Sequence, residues 1–188
     1  MRKQTRKLSS KSLVFYISKY MEYIICVDNN NNEIWTMEKL LAHEWSGTLH
    51  RAFSVILTNN QGEILLQQRS LDKYHCPWLR ANACCSHPRP WENTIDAAQR
   101  RTVEELGISC DLHEWESFIY HADCGNNLVE YEHDTIYTWI IDQQDIPFNT
   151  SEVMDIKRIS VQNLKASLVK NPELYTPRFH KIAHILRK

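Results

Sequence analysis

Residues Glu92–Ile108 read ENTIDAAQRRTVEELGI, and their spacing predicts a helix from Asn93 to Leu106. Ile95, Ala98, Thr102 and Leu106 recur three and four apart, so they share one face and form an inner stripe. Asn93 is a candidate N-cap, and Asp96 sits favourably near the positive end of the helix dipole. Gly107 is placed where a left-handed residue ends a helix. Arg100 with Glu104 and Arg101 with Glu105 are each four apart and can pair along the surface. Two readings of this acidic helix stand side by side. One is a solvated, salt-bridged face. The other is a set of carboxylates for a hard divalent cation beside a diphosphate.

Upstream, Ala52–Thr58 (AFSVILT) is an apolar strand, Asn59–Gly62 (NNQG) a turn and Glu63–Arg69 a returning strand, together a predicted hairpin. Further back, Tyr23–Val27 and Glu33–Trp35 flank a run of four asparagines, a second hairpin or strand–loop. Met37–His43 has room for a helical turn or two. Ser70–Trp91 is expected to be irregular, broken by Pro77, Pro88 and Pro90. Downstream, Val129–Ile141 reads as a long strand, and Gln162–Lys170 and Arg178–Arg187 as helices. Strands dominate early and helices close the chain, which gives the α+β class.

The 188 residues suit one domain, placed at 21–188, behind a loose basic tail over 1–20. That tail holds Arg2, Lys3, Arg6, Lys7, Lys11 and Lys19 and no acid, and without these six charges the net charge of -1 becomes -7. Met21 is an alternative start. Hydrophobic residues at 43% and charged residues at 24% fit a globular chain and exclude wholesale disorder. No apolar run approaches the ~20 residues of a membrane span. The balanced charge predicts no nucleic-acid partner and no membrane partner. The six cysteines, with neighbouring Cys84 and Cys85, read as reduced thiols in a cytoplasmic protein, a monomer or weak homodimer. A zinc site from Cys76, Cys84, Cys85 and His87 lacks the usual paired knuckles.

The chemistry-bearing motifs are separated along the chain but fall in a recognisable order. Glu92, Arg100, Glu104, Glu105, Gly107 and Ile108 have the spacing of a Nudix box, with Ser86 at its glycine and Arg101 at one of its glutamates. Cys85-Ser86-His87-Pro88 stands just before it. Gly47-Thr48-Leu49-His50-Arg51-Ala52-Phe53, Leu66-Gln67-Gln68-Arg69-Ser70 and Val129-Glu130-Tyr131-Glu132 complete the set. From about Met21 onward the chain resembles the type I isopentenyl-diphosphate isomerases. The resemblance implies a Nudix-type mixed sheet sandwiched by helices, with isomerase-type N-terminal strands.

It also implies roles, position by position. Cys85 is the expected catalytic acid–base and Glu132 its partner, with Tyr120 beside the protonation site. His43, His50, His87, Glu130 and Glu132 are the expected ligands of a divalent metal, Mn²⁺, Zn²⁺ or Mg²⁺. Glu105 and the backbone carbonyl of Cys85 would touch a Mg²⁺ carried in with the diphosphate. Lys39, Arg69, Lys73 and Arg101 would hold phosphate oxygens of a prenyl diphosphate substrate. The implied reaction moves the double bond of isopentenyl diphosphate to give dimethylallyl diphosphate. Alternatives are a Nudix hydrolase of another diphosphate and a non-catalytic prenyl-diphosphate or metal-binding homologue.

The residues themselves agree with that chemistry. Glu130 and Glu132 are two apart on a strand and share a face. Two such carboxylates repel unless a cation or proton lies between them. Three imidazoles with carboxylates suit a divalent transition metal. Arg178 follows Thr176-Pro177 where the family has a tryptophan over the cationic carbon, while Trp78 and Arg80 also depart from its pattern. The expectation is that Arg178 turns outward and that Trp78, Trp91 or Trp139 supplies the aromatic wall.

Overall fold

Strand β3, His50–Thr58, organises the molecule because its two faces carry different chemistry. Its odd residues Phe53, Val55 and Leu57 enter a core under the helix read above, here α2, Thr94–Leu106. Its even residue Ile56 enters a second core on the opposite face. Toward its N-terminus the even face turns polar, with Ser54 and His50 both buried. Two-residue alternation makes that change of face a change of chemistry within one strand. The computed structural model describes residues 22–73 and 76–186. The basic tail and the alternative start Met21 lie outside them.

Among the described residues nine strands form one mixed sheet. β1 (Tyr23–Val27) and β2 (Glu33–Glu38) form an antiparallel ribbon that meets β3 at Cys26 and His50. A short helix, α1 (Lys39–His43), follows β2 directly, later than the expected start at Met37. β8 (Leu128–Ile140) runs parallel to β3 from His50↔Glu132 to Thr58↔Ile140. β7 (His113–Gly125) returns antiparallel to β8. Its turn places Asn126 and Asn127 at positive φ, the asparagine-tolerant geometry of a tight hairpin. β4 (Glu63–Arg69) pairs with β9 (Val153–Ser160) and β5 (Arg80–Asn82).

The expected hairpin at Asn59–Gly62 is present as a turn, with Asn59 accepting from the backbone of Gln61 and Glu63. Its strands stay paired only at Thr58↔Ile64. Beyond that, β6 (Cys84–Ser86) takes the edge of β3 and β5 that of β4. The segment 70–91, expected to be irregular, therefore contributes two short strands. α3 (Val161–Lys170) and α4 (Pro177–Ile185) cover the second core with Leu164, Leu168, Phe179 and Ile182. Trp139 packs against the α2 core, and Trp91 is 93% exposed.

Gly107 ends α2 at φ 67, and a Cβ there would lie 2.8 Å from the Pro147 carbonyl oxygen. Left-handed backbone costs a residue with a side chain ~1–2 kcal/mol, and the backbone clash adds to this. Gly107→Ala is expected to lose about 2 kcal/mol or more of stability, read as a lower urea midpoint at unchanged slope. An unshifted midpoint would show that the 147 loop yields freely.

Candidate active site

The polar end of β3 lies against the polar end of β8. His50 pairs laterally with Glu132, and Glu132 pairs in turn with Tyr120 on β7. Laterally paired residues point to one face, so three strands present an imidazole, a carboxylate and a phenol side by side. His43 arrives from the last turn of α1 and His87 from the residue after β6. One potential ligand atom from each of His43, His50, His87 and Glu132 lies within 4.8 Å of the others, and all four residues are buried.

The imidazoles are oriented by their second nitrogens. His43 Nδ1 lies 2.7 Å from the Lys39 carbonyl and His50 Nδ1 2.7 Å from that of Thr48. A carbonyl can only accept, so both Nδ1 atoms carry hydrogen and both Nε2 atoms turn inward. His50 Nε2 is 3.2 Å from His87 Nε2, and His87 Nε2 is 3.1 Å from Glu132 Oε1. His43 Nε2 is buried and lies 3.9 Å from the same Glu132 Oε1. Burial holds the His87 pKa well below the usual imidazole range, against the pull of Glu132. Three buried imidazoles converging with one carboxylate fit a divalent metal.

Arg178 reverses the expectation set by the sequence. It is 4% exposed and points inward. Its Nη2 donates to Glu132 Oε1 at 2.5 Å and to Glu130 Oε1 at 3.3 Å, and its Nε donates to the Tyr120 hydroxyl at 2.6 Å. That hydroxyl lies 2.9 Å from Glu130 Oε2 and 2.5 Å from Glu132 Oε2. Two buried carboxylates on one face need a cation, and the chain supplies one from α4. Burial opposes the charge on Glu132, yet Arg178 and the imidazole hydrogen bonds hold its carboxyl well below the usual range. Burial raises the Tyr120 hydroxyl well above its usual range, with Arg178 acting the other way.

The adjacent cysteines part company across the sheet. Cys84 pairs with Val55 and is buried in the α2 core. Cys85 pairs with Ser54, on the face that carries His50. Burial raises the Cys85 thiol, and the charges of Arg178 and Arg69 lower it. All six cysteines carry free thiols. Asp134, one step along β8 from Glu132 on the same face, accepts from the Ser54 hydroxyl at 2.7 Å. Burial lifts its carboxyl to about 7. Sequence reasoning passed it over, although the alternation that links Glu130 to Glu132 extends to it.

The expected phosphate-binding residues are each engaged by neighbours. Lys39 Nζ lies 2.9 Å from Glu22. Arg69 donates to the Cys76 carbonyl at 3.1 Å. Lys73 is paired with Glu152. Arg101 donates to Glu104 and Glu105, each at 2.7 Å, and reaches Glu152 at 3.3 Å. Glu105 also accepts from Gln67 at 3.1 Å. Lys73 and Arg101 thus meet at Glu152, a residue that no motif singles out. Arg100 reaches Glu104 at 3.3 Å, which with Arg101–Glu105 gives the two pairs expected along α2, and it also binds Glu92 through two nitrogens at 2.7 and 2.8 Å.

The NUDIX domain family model matches residues 48–179. Isopentenyl-diphosphate Delta-isomerase 2 of Photorhabdus laumondii is 42% identical over 161 residues, covering 86% of this chain and 90% of that protein. Isopentenyl-diphosphate Delta-isomerase of Streptomyces avermitilis is 43% identical over 148 residues, covering 78% of this chain and 75% of its own. Among solved structures, DR0079 from Deinococcus radiodurans superposes with a TM-score of 0.71 at 17% identity, over 88% of this chain and 98% of that one. That likeness concerns the fold alone. No helix among the described residues is long and apolar enough to cross a membrane.

Proposed function

This chain belongs to the isopentenyl-diphosphate isomerase family of NUDIX-domain proteins, and from that membership we infer that it interconverts isopentenyl and dimethylallyl diphosphate. The observation that carries the reading is identity of about two in five residues over most of both chains. The arrangement of Cys85, Glu132 and Tyr120 on one side of the sheet supports it.

The residues divide the work. A divalent metal, Mn²⁺, Zn²⁺ or Mg²⁺, would be held by His43, His50, His87 and Glu132, with Glu130, expected as a fifth ligand, held by Tyr120 and Arg178, and would polarise its ligands. Lys39, Arg69, Lys73 and Arg101 would grip the diphosphate, with Glu105 and the Cys85 carbonyl facing a Mg²⁺ that enters with it. Arg101 puts a positive charge on α2 where a hydrolase would use another carboxylate. Bound this way, the diphosphate is kept and the alkene is presented to Cys85 and Glu132.

The reaction adds a proton to the terminal CH₂ and removes one from C2 next to the cationic carbon. An alkene is a weak base, so donor and acceptor must be pre-positioned and water excluded. Cys85 and Glu132 fill these two posts. Tyr120, 2.5 Å from Glu132 Oε2, positions that carboxyl and can exchange its proton.

Proton and phosphorus NMR of the protein with isopentenyl diphosphate and Mg²⁺ in D₂O tests the reading. The expected product is dimethylallyl diphosphate carrying deuterium, with the diphosphate signals intact. Phosphate release without isomer would make the protein a hydrolase. Binding without turnover would make it a non-catalytic homologue.

A further inference from the structure

Glu132 Oε1 is contested. The Nε2 atoms of His87 and His50 approach it at 3.1 and 3.5 Å, from the cluster that could hold a metal. Arg178 Nη2 approaches the same oxygen at 2.5 Å. The guanidinium also spans to Glu130 Oε1, and its Nε is fixed on the Tyr120 hydroxyl. The arginine is deeply buried, and its charge is locked on by Glu132, Tyr120 and Glu130 despite the cost of burial. Among the four clustered residues Glu132 is the sole carboxylate. Any cation arriving there shares its one anionic ligand with a resident cation.

We propose that Arg178 is a built-in competitor for the metal site: it neutralises the Glu130–Glu132 pair and thereby sets how tightly the chain holds a divalent ion. This rests on the metal-site reading above and adds to it a control residue on α4. Like charges on one buried oxygen repel, and water does little to screen them there. Metal entry therefore moves the guanidinium off Oε1, and the energy of the Arg178 contacts is subtracted from the affinity. The same contacts keep the metal-free site intact, because the two carboxylates are never left facing each other alone.

The test titrates Zn²⁺ and Mn²⁺ into the full chain, stripped of metal by chelator, by isothermal calorimetry without substrate. Arg178→Met removes the charge and keeps much of the bulk. It is expected to bind both ions at least about tenfold more tightly. Arg178→Lys, which keeps a cation, is expected to stay within about threefold of wild type. The metal-free Met variant is expected to melt lower than wild type and to gain more from added Zn²⁺. Unchanged or weaker affinity in the Met variant, with binding intact in wild type, overturns the competition alone. Absence of binding in both overturns the metal site as well. A wild-type measurement covers a variant that fails to fold: the Arg178 Nε–H proton signal must shift when Zn²⁺ is added, and an unmoved signal refutes displacement.

Discussion

Glu132→Gln is expected to lower turnover of isopentenyl diphosphate by at least about 10³-fold. General acid–base catalysis alone accounts for ~10²–10⁴, and the same carboxylate is the one anionic group of the histidine cluster. The substitution also strips Arg178 of its 2.5 Å partner. Breaking a buried ion pair from one side costs about 3–5 kcal/mol, and Glu130, still near Arg178, places this case at the low end. Domains of this kind have about 5–15 kcal/mol to lose, so the variant remains folded but melts lower. Steady-state rates and urea denaturation measured on one preparation check both halves. Turnover within tenfold of wild type would remove Glu132 from the proton path.

Cys85→Ala is expected to separate chemistry from construction. The thiol lies on the site face of β6 but outside the metal-ligand cluster. Its loss should cost about 10²–10⁴ in turnover, the span of one acid–base group. Stability should change by no more than about 1 kcal/mol, because the side chain is only half-buried and anchors no ion pair. Zn²⁺ affinity should stay at the wild-type level. Cys84→Ala is the matched control, since that thiol faces the α2 core. It should alter stability and leave the rate nearly untouched. A rate loss in Cys84→Ala alone would exchange the two assignments.

Much of this arrangement was legible in the residues. The α2 helix ran as its stripe and Gly107 required, and strands β3 and β8 followed their apolar runs. Glu132 and the scattered histidines converged, without Glu130 among the clustered ligand atoms, because backbone pairing, rather than sequence distance, sets proximity. Other parts carried no readable signal. β7 is mostly exposed and offers no apolar alternation, so it borrows its order from β8. β9 likewise depends on β4. Arg178 defied the reading for an electrostatic reason. An arginine after Thr-Pro looks like surface until two carboxylates from another element are seen to need it. Of the tryptophans expected as a wall, Trp91 stands in solvent, Trp139 packs against the α2 core and Trp78 is 46% exposed.

The parallel seam between β3 and β8 joins residues far apart in the chain: Ser54 bonds Asp134 from 80 positions away. Arg178 then closes on Glu132 from a further 46 positions downstream. Long-range pairing of this kind comes late in folding, because chain entropy must be lost before contacts repay it. During synthesis the ribosome delivers α4 after every other element of the site. Until it docks, β8 carries two facing carboxylates with no guanidinium beside them. The charge balance of the site is therefore the last part of it to be made: until the final helix arrives, two like charges on one strand face must be kept apart by protons or solvent.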